Sequence, residues 1–444
     1  MKSCQLLILL FLVSFLISAI SPQVLRMPLK KMNLQESQVP SFIANFLMKN
    51  GSIDIRNYMN RRFQGTIQIG SNHREFEVIL DTGSSILWVG DSHSNHFLGK
   101  GYDCSQSTTC KASKNLMKNI TYGSGSVNGY QIIDDLKIGN VTLKNYQMLL
   151  AKDIDPKLKG INGILGLSLG RGSTDFPTIL ELFKAKGLIN VSMFSMYLGD
   201  DSKSTGSHTG EIIFGGYDPK YAVSDFKFVK IKDSKESMFW QADMKGLGIG
   251  IKANISHNLP VIFDSGTSLI ILPEDIIKNL FKEAKVLGVS CHFNEPRKRY
   301  LCDCSARDKL PDLIFYFDKV SFNIPATSYV EFNYGSCDLL VDKLSGLGSK
   351  GILGDVFLKH YYTLYSAENN TIGFARAAPV VHIPVGIIVL CLVAGLLIIA
   401  ITVFFCTKPK IEDKKTWKSS GILIGGSGKN RLLENEENSE NAHY

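Results

Sequence analysis

Two octapeptides of this chain follow one pattern. Val78-Ile79-Leu80-Asp81-Thr82-Gly83-Ser84-Ser85 is matched 183 positions later by Val261-Ile262-Phe263-Asp264-Ser265-Gly266-Thr267-Ser268. In each, an apolar run that predicts a buried strand ends in an aspartate, followed by a hydroxyl residue, a glycine and a second hydroxyl residue. The glycine permits a tight turn, and the hydroxyls can donate to the carboxylate. A chain built this way presents one acid at the end of each of two buried strands. Brought face to face, the two turns would hold two carboxyls close together. Like charges that near cannot both ionise, so one carboxyl keeps its proton over a wide pH range. A pair of this kind can activate water, one member as base and the other as acid.

A second repeat is in register with the first. Gly163-Ile164-Leu165-Gly166 follows Asp81 by 82 positions, and Gly351-Ile352-Leu353-Gly354 follows Asp264 by 87. The joint recurrence, in one order and at similar spacing, predicts a duplicated domain. Between the repeats the pattern is short and strand-rich. Thr66-Ile67-Gln68-Ile69 and Phe76-Glu77-Val78-Ile79-Leu80 are bounded by Gly, Asn, Asp and Ser, as strands are. Helices are predicted from Phe176-Pro177-Thr178-Ile179 and from Pro273-Glu274-Asp275-Ile276, each with proline near the first turn. A mostly β protein with two lobes is expected, the boundary falling near residues 198–240, where residues 199–210 are rich in Ser, Gly, Asp and Thr.

With 444 residues, 44% of them hydrophobic, the chain can fill two cores of ordinary size. The formal net charge of +8 lies mostly in the flanking segments. About +3 remains on the body, too little for a nucleic-acid footprint. Met1-Lys2, the apolar run from Leu6 to Val13 and small residues near Ser18-Ala19 predict a secretory signal peptide over residues 1–21. Residues 385–406 carry no charge and are long enough to cross a bilayer as a helix. Lys408, Lys410, Lys414 and Lys415 follow at once, which puts the tail, residues 407–444, on the cytoplasmic side. A type I single-pass protein is expected, its body in the lumen of the secretory or endolysosomal route or at the cell surface. Six of the nine cysteines, Cys104, Cys110, Cys291, Cys302, Cys304 and Cys337, fall on that oxidising side and predict three disulfides. Cys302-x-Cys304 lacks the paired spacing of a zinc site, so no metal is expected. Asn119, Asn140, Asn190, Asn254 and Asn369 head possible glycosylation sequons.

Over roughly residues 58–378 the chain resembles the pepsin-type aspartic proteases, the cathepsin D and pepsin group. The resemblance rests on an ordered set. Asp81-Thr82-Gly83-Ser84-Ser85-Ile86-Leu87-Trp88-Val89, Tyr122-Gly123-Ser124-Gly125-Ser126 and Gly163-Ile164-Leu165-Gly166-Leu167 come first. Gly210-Glu211-Ile212-Ile213-Phe214-Gly215-Gly216, Phe239-Trp240-Gln241 and Asp264-Ser265-Gly266-Thr267-Ser268 follow, then Leu310-Pro311-Asp312, Ile352-Leu353-Gly354-Asp355 and Gly373-Phe374-Ala375. It implies a bilobed double β-barrel with a substrate cleft between the lobes, and an aspartic endopeptidase active at acidic pH. Asp81 and Asp264 would be the catalytic pair, sharing a proton and a water, supported by Ser84, Thr267, Gly83 and Gly266. Tyr122, Gly123 and Ser124 match a mobile flap over the substrate, and Trp88 the partner of the flap tyrosine. Polypeptide substrates, no cofactor and a monomer are implied.

The same resemblance divides the chain into a propeptide (residues 22–56), an N-terminal lobe (57–205) and a C-terminal lobe (206–378). Val24-Leu25-Arg26-Met27-Pro28-Leu29-Lys30-Lys31 matches the first propeptide strand, so a zymogen is implied. Cys104 with Cys110 and Cys304 with Cys337 match family bridges. Cys291 and Cys302 are additional, and pairing them is the simplest closure, with an exchange between Cys302 and Cys304 left open. Three features depart from the family: Asn162 replaces an acidic residue before Gly163, the proregion is shorter than typical and lacks a clear Lys-Tyr near its end, and most relatives lack a span. The rival reading is a catalytically inactive peptide-binding relative. A membrane adhesion receptor built on a β-sandwich would fit the topology but gives no reason for two matched acid turns.

Overall fold

The computed structural model describes residues 24–31, 63–94, 99–122, 125–158, 161–170, 176–199, 208–232, 237–249, 254–255, 258–295, 299–333, 336–343, 350–379, 394–395 and 397–402. The chain divides into a unit of residues 13–382 and a second unit made of residues 1–12 and 383–444. The signal peptide, most of the propeptide, most of the 385–406 run and the tail lie outside the described residues. In the second unit, residues 394–395 and 397–402 are helical. Among the described residues no helix is long and apolar enough to cross a membrane.

The body is mostly β and bilobed. Its largest sheet among the described residues has thirteen strands and runs through both halves of the chain. From one edge the order is Lys227–Lys230, Thr371–Arg376, Tyr361–Ser366, Met193–Tyr197, His208–Phe214, Leu25–Lys31, Phe63–Ile69 and Arg74–Asp81. It continues through Gly163–Gly166, Trp88–Gly90, Val141–Ile154, Gly125–Ile138 and Lys111–Tyr122. The alternation legible in the sequence is the alternation of burial. In Leu25–Lys31 the side chains of Leu25, Met27 and Leu29 are buried while Arg26 and Pro28 are exposed. This strand pairs antiparallel with both His208–Phe214 and Phe63–Ile69. Arg26 bonds Glu211 at 2.9 Å and Asp218 at 3.0 Å, and Lys30 pairs with Glu77.

The internal repeat has a topological meaning. Arg74–Asp81 runs parallel to Gly163–Gly166, with Asp81 opposite Gly166. Leu259–Phe263 likewise runs parallel to Gly351–Leu353, with Phe263 opposite Leu353. On the far side of each Gly-Ile-Leu strand lies an antiparallel neighbour, Trp88–Gly90 in the first half and Ile270–Ile271 in the second. Each half therefore threads its acid strand beside the same kind of strand, and the glycine that closes each motif lets backbone pass close by. A Cβ on Gly166 would lie 2.5 Å from the Ile86 nitrogen, and one on Gly354 2.5 Å from the Leu269 oxygen.

The helices begin where the sequence places them. Ile179–Ala185 is capped by Thr178, which exchanges hydrogen bonds with Glu181, the reciprocal box that satisfies two N–H groups of the first turn. Glu274–Val286 follows Pro273 and buries Ile276, Ile277, Leu280 and Ala284.

Among the described residues three disulfides join Cys104 to Cys110, Cys291 to Cys302 and Cys304 to Cys337. Cys302 lies opposite Cys291 on one neighbouring strand and Cys337 on the other, yet bonds the former. Of the sequon asparagines, Asn119, Asn140, Asn190 and Asn369 are exposed.

Candidate active site

Asp81 ends its strand, and the chain turns at once: the Ser84 N–H donates to the Asp81 carbonyl at 3.4 Å. The carboxyl is held from two sides. The Gly83 N–H donates to Oδ1 at 2.9 Å and the Ser84 hydroxyl to Oδ2 at 2.5 Å. The second turn repeats the scheme. The Thr267 N–H donates to the Asp264 carbonyl at 3.2 Å. The Gly266 N–H donates to Asp264 Oδ1 at 2.8 Å and the Thr267 hydroxyl to Oδ2 at 2.7 Å.

The two turns meet. A Cβ on Gly83 would lie 2.7 Å from the Asp264 carboxyl carbon, and a Cβ on Gly266 would lie 2.7 Å from that of Asp81. Each glycine is thus the space into which the opposite carboxyl fits. Asp81 is 4% exposed. Burial, and then the facing charge and hydrogen bond of Asp264, push its carboxyl well above the usual range, against the Ser84 and Gly83 bonds that pull it down. The pair therefore binds a proton in conditions where a solvated aspartate would not.

Sequence reasoning missed what holds the turns together. The Thr82 N–H donates to the Ser265 hydroxyl at 3.1 Å, and the Ser265 N–H donates to the Thr82 hydroxyl at 3.0 Å. Each hydroxyl then donates across to the other strand, Thr82 to the Phe263 carbonyl at 2.8 Å and Ser265 to the Leu80 carbonyl at 2.7 Å. All four bonds are buried, and they link positions 181 to 185 residues apart. The signal was present in the sequence: the residue after each acid is a hydroxyl residue in both motifs. Trp240 adds a further tie, its indole N–H donating to the Leu167 carbonyl at 2.8 Å.

The hairpin of Lys111–Tyr122 and Gly125–Ile138, in which Tyr122 pairs with Gly125, brings Tyr122 near Asp81. Gly123 and Ser124 are outside the described residues. The Trp88 indole N–H donates to the Tyr122 hydroxyl at 2.9 Å. Trp88 itself is fully buried in a small apolar cluster with Ile79, Val127, Leu149 and Ile164, against which Tyr122 packs. Burial and the Asp81 charge hold the Tyr122 hydroxyl far above the usual tyrosine range, so it stays protonated. Asn162, at the family's usual acidic position, accepts from the Lys100 N–H at 2.9 Å.

Fold and site together define an aspartic peptidase. A family model, eukaryotic aspartyl protease, matches residues 62–377, and the chain belongs to that family as an aspartic-type endopeptidase. Among individual proteins it is similar to a probable vacuolar protease A of Trichophyton verrucosum, with 33% identity over 73% of this chain and 80% of the relative. It is similar also to pepsin A of Gallus gallus, with 33% identity over 72% and 85%. To a vacuolar aspartic protease of Candida albicans it shows 32% identity over 77% and 81%.

Proposed function

We propose that Asp81 and Asp264 hydrolyse peptide bonds by general acid and base catalysis on a shared water, at acidic pH. The pair holds one proton. The ionised carboxylate takes a proton from the water as its oxygen attacks the scissile carbonyl carbon, and the protonated partner gives its proton to the carbonyl oxygen. Collapse of the resulting diol, with proton return to the amide nitrogen, breaks the C–N bond. Aspartic proteases are the general illustration of two carboxyls sharing one proton because both cannot ionise. The observation that carries the reading is the reciprocal fit of each carboxyl against the opposite glycine.

In this reading Ser84 and Thr267 hold the outer carboxyl oxygens. Tyr122, with Gly123 and Ser124, forms the flap that closes over an extended peptide and excludes water, and Trp88 anchors it. Residues 57–205 and 206–378 are the two catalytic lobes and residues 22–56 a propeptide. Residues 1–21 direct the chain into the secretory route. Residues 385–406 anchor it as a type I membrane protein, which confines the enzyme to a surface and raises its effective concentration toward membrane-bound substrates.

The test is cleavage of a peptide library by the full-length protein across the acidic range, with Asp264→Asn as control. Cleavage that peaks below neutrality and disappears in the control is expected. Cleavage that survives in the control, or peaks above neutrality, overturns the mechanism.

A further inference from the structure

Away from the acid pair, the body carries a cavity of about 530 Å³. Lys227, Lys359, Arg376 and His360 line it, with Phe322 and Tyr361 as aromatic walls, and no Asp or Glu is among the lining residues. The carboxylate of Asp312 accepts from the lining residue Asn323 at 2.9 Å. The volume suits a small polar ligand. Lysine and arginine converging without a lining acid suit a phosphate, which takes several N–H donors and relieves the repulsion between the cations.

The position of the cavity in the chain indicates where such a phosphate would come from. Its lining includes Ala377, Ala378 and Pro379, and this exit segment is fixed in place. The Ala377 N–H donates to the His360 carbonyl at 3.2 Å, the Ala378 N–H to the Tyr221 carbonyl at 2.9 Å, and the Tyr197 hydroxyl to the Ala378 carbonyl at 2.7 Å. Pro379 precedes position 385, where the uncharged run begins, by six residues. A chain of that length spans at most about 20 Å. Lys227 opens an edge strand of the large sheet. Basic side chains close to an anchoring segment suit an anionic membrane surface.

We propose that this cavity binds the phosphate of an anionic phospholipid headgroup in the bilayer that anchors the chain, holding the catalytic body against the membrane surface. The proposal rests on the type I anchoring proposed above.

The experiment uses full-length protein in nanodiscs of phosphatidylcholine alone or of phosphatidylcholine with phosphatidylserine. The readout is amide hydrogen exchange over residues 227–230 and 371–377. Severalfold slower exchange with phosphatidylserine is expected, together with loss of that slowing in the double variant Lys227→Gln, Arg376→Gln. Cleavage of a soluble peptide by the variant should be unchanged, which reports an intact fold. Equal exchange in the two lipids overturns the proposal. Equal slowing by inorganic phosphate in detergent assigns the cavity to a soluble anion and overturns the headgroup reading. Alkaline carbonate extraction separates the premises. Release of the chain overturns anchoring and headgroup binding together, whereas retention without slowed exchange overturns headgroup binding alone.

Discussion

The turn after Leu80 and the turn after Phe263 use the same bonds but sit in different surroundings. In both, a glycine N–H and a hydroxyl three positions on hold the two carboxyl oxygens. The first acid lies near Tyr122 and is nearly sealed from solvent, while Asp264 is partly exposed. The difference separates two requirements. Gripping and sharing a proton demands the same geometry from both halves, so the turns match. The proposed flap needs only one hairpin, and the first half supplies it. The second half instead carries two of the three disulfides, both outside its acid turn.

The matched part of the comparison is broken most severely by removing either acid. Asp81→Asn and Asp264→Asn are each expected to lower kcat on a peptide substrate by at least about a thousandfold, with circular dichroism unchanged. Near-normal turnover in either would show that the halves are not equal partners. Gly83→Ala and Gly266→Ala come next. Each added methyl would displace the opposite carboxyl, and a misplacement near 1 Å costs about a hundredfold in rate. Steady-state kinetics that spared one of the two would contradict the reciprocal fit.

The hydroxyl exchange tests the match through stability. Thr82→Val and Ser265→Ala should each destabilise the body by about 1–3 kcal/mol, because each leaves buried partners unpaired. The double variant should cost much less than the sum, since both belong to one network. Denaturant titration measures this, and simple additivity would refute it.

The asymmetric part is probed by pH. The buried Asp81 keeps its proton above the ordinary aspartate value, near 3.9, where the unfolded chain has already lost it. Through this group native protein binds more protons than unfolded, so its contribution to stability is greatest below about pH 4 and declines as pH rises toward the raised value. The contribution of this one group is about 1.4 kcal/mol per pH unit crossed. Asp81→Asn should flatten that slope in urea midpoints collected across the window, and an unchanged slope would exclude Asp81 as its source. The smallest effect is expected from Ser84→Ala. It removes a bond that favours the ionised acid and should move the alkaline limb of the pH–rate profile upward by about one pH unit.

Much of this was legible in the residues. The acid turns, the Gly-Ile-Leu-Gly strands and the two helix starts are local patterns, and a repeat in register reports that two copies of one arrangement exist. Partnership over long distance was not legible. Thr82 and Ser265 occupy matched positions, but nothing in either segment shows that the two bond each other. Leu25–Lys31 reads as an alternating strand, but its insertion between His208–Phe214 and Phe63–Ile69 depends on edges formed far away in the chain. The choice of Cys291 by Cys302 is not marked in the cysteine spacing, because Cys337 stands equally in register with Cys302 in the sheet.

The long sheet also bears on how the protein is made. Met193–Tyr197 pairs with Tyr361–Ser366, and Lys227–Lys230 with Thr371–Arg376. A ribosome must therefore deliver nearly the whole body before those edges find their neighbours. Pairings this remote are slow to form and leave apolar edges open to aggregation meanwhile. Biogenesis then depends on folding helpers attending the nascent chain until about residue 376 has emerged, and truncation shortly before that point should yield insoluble product.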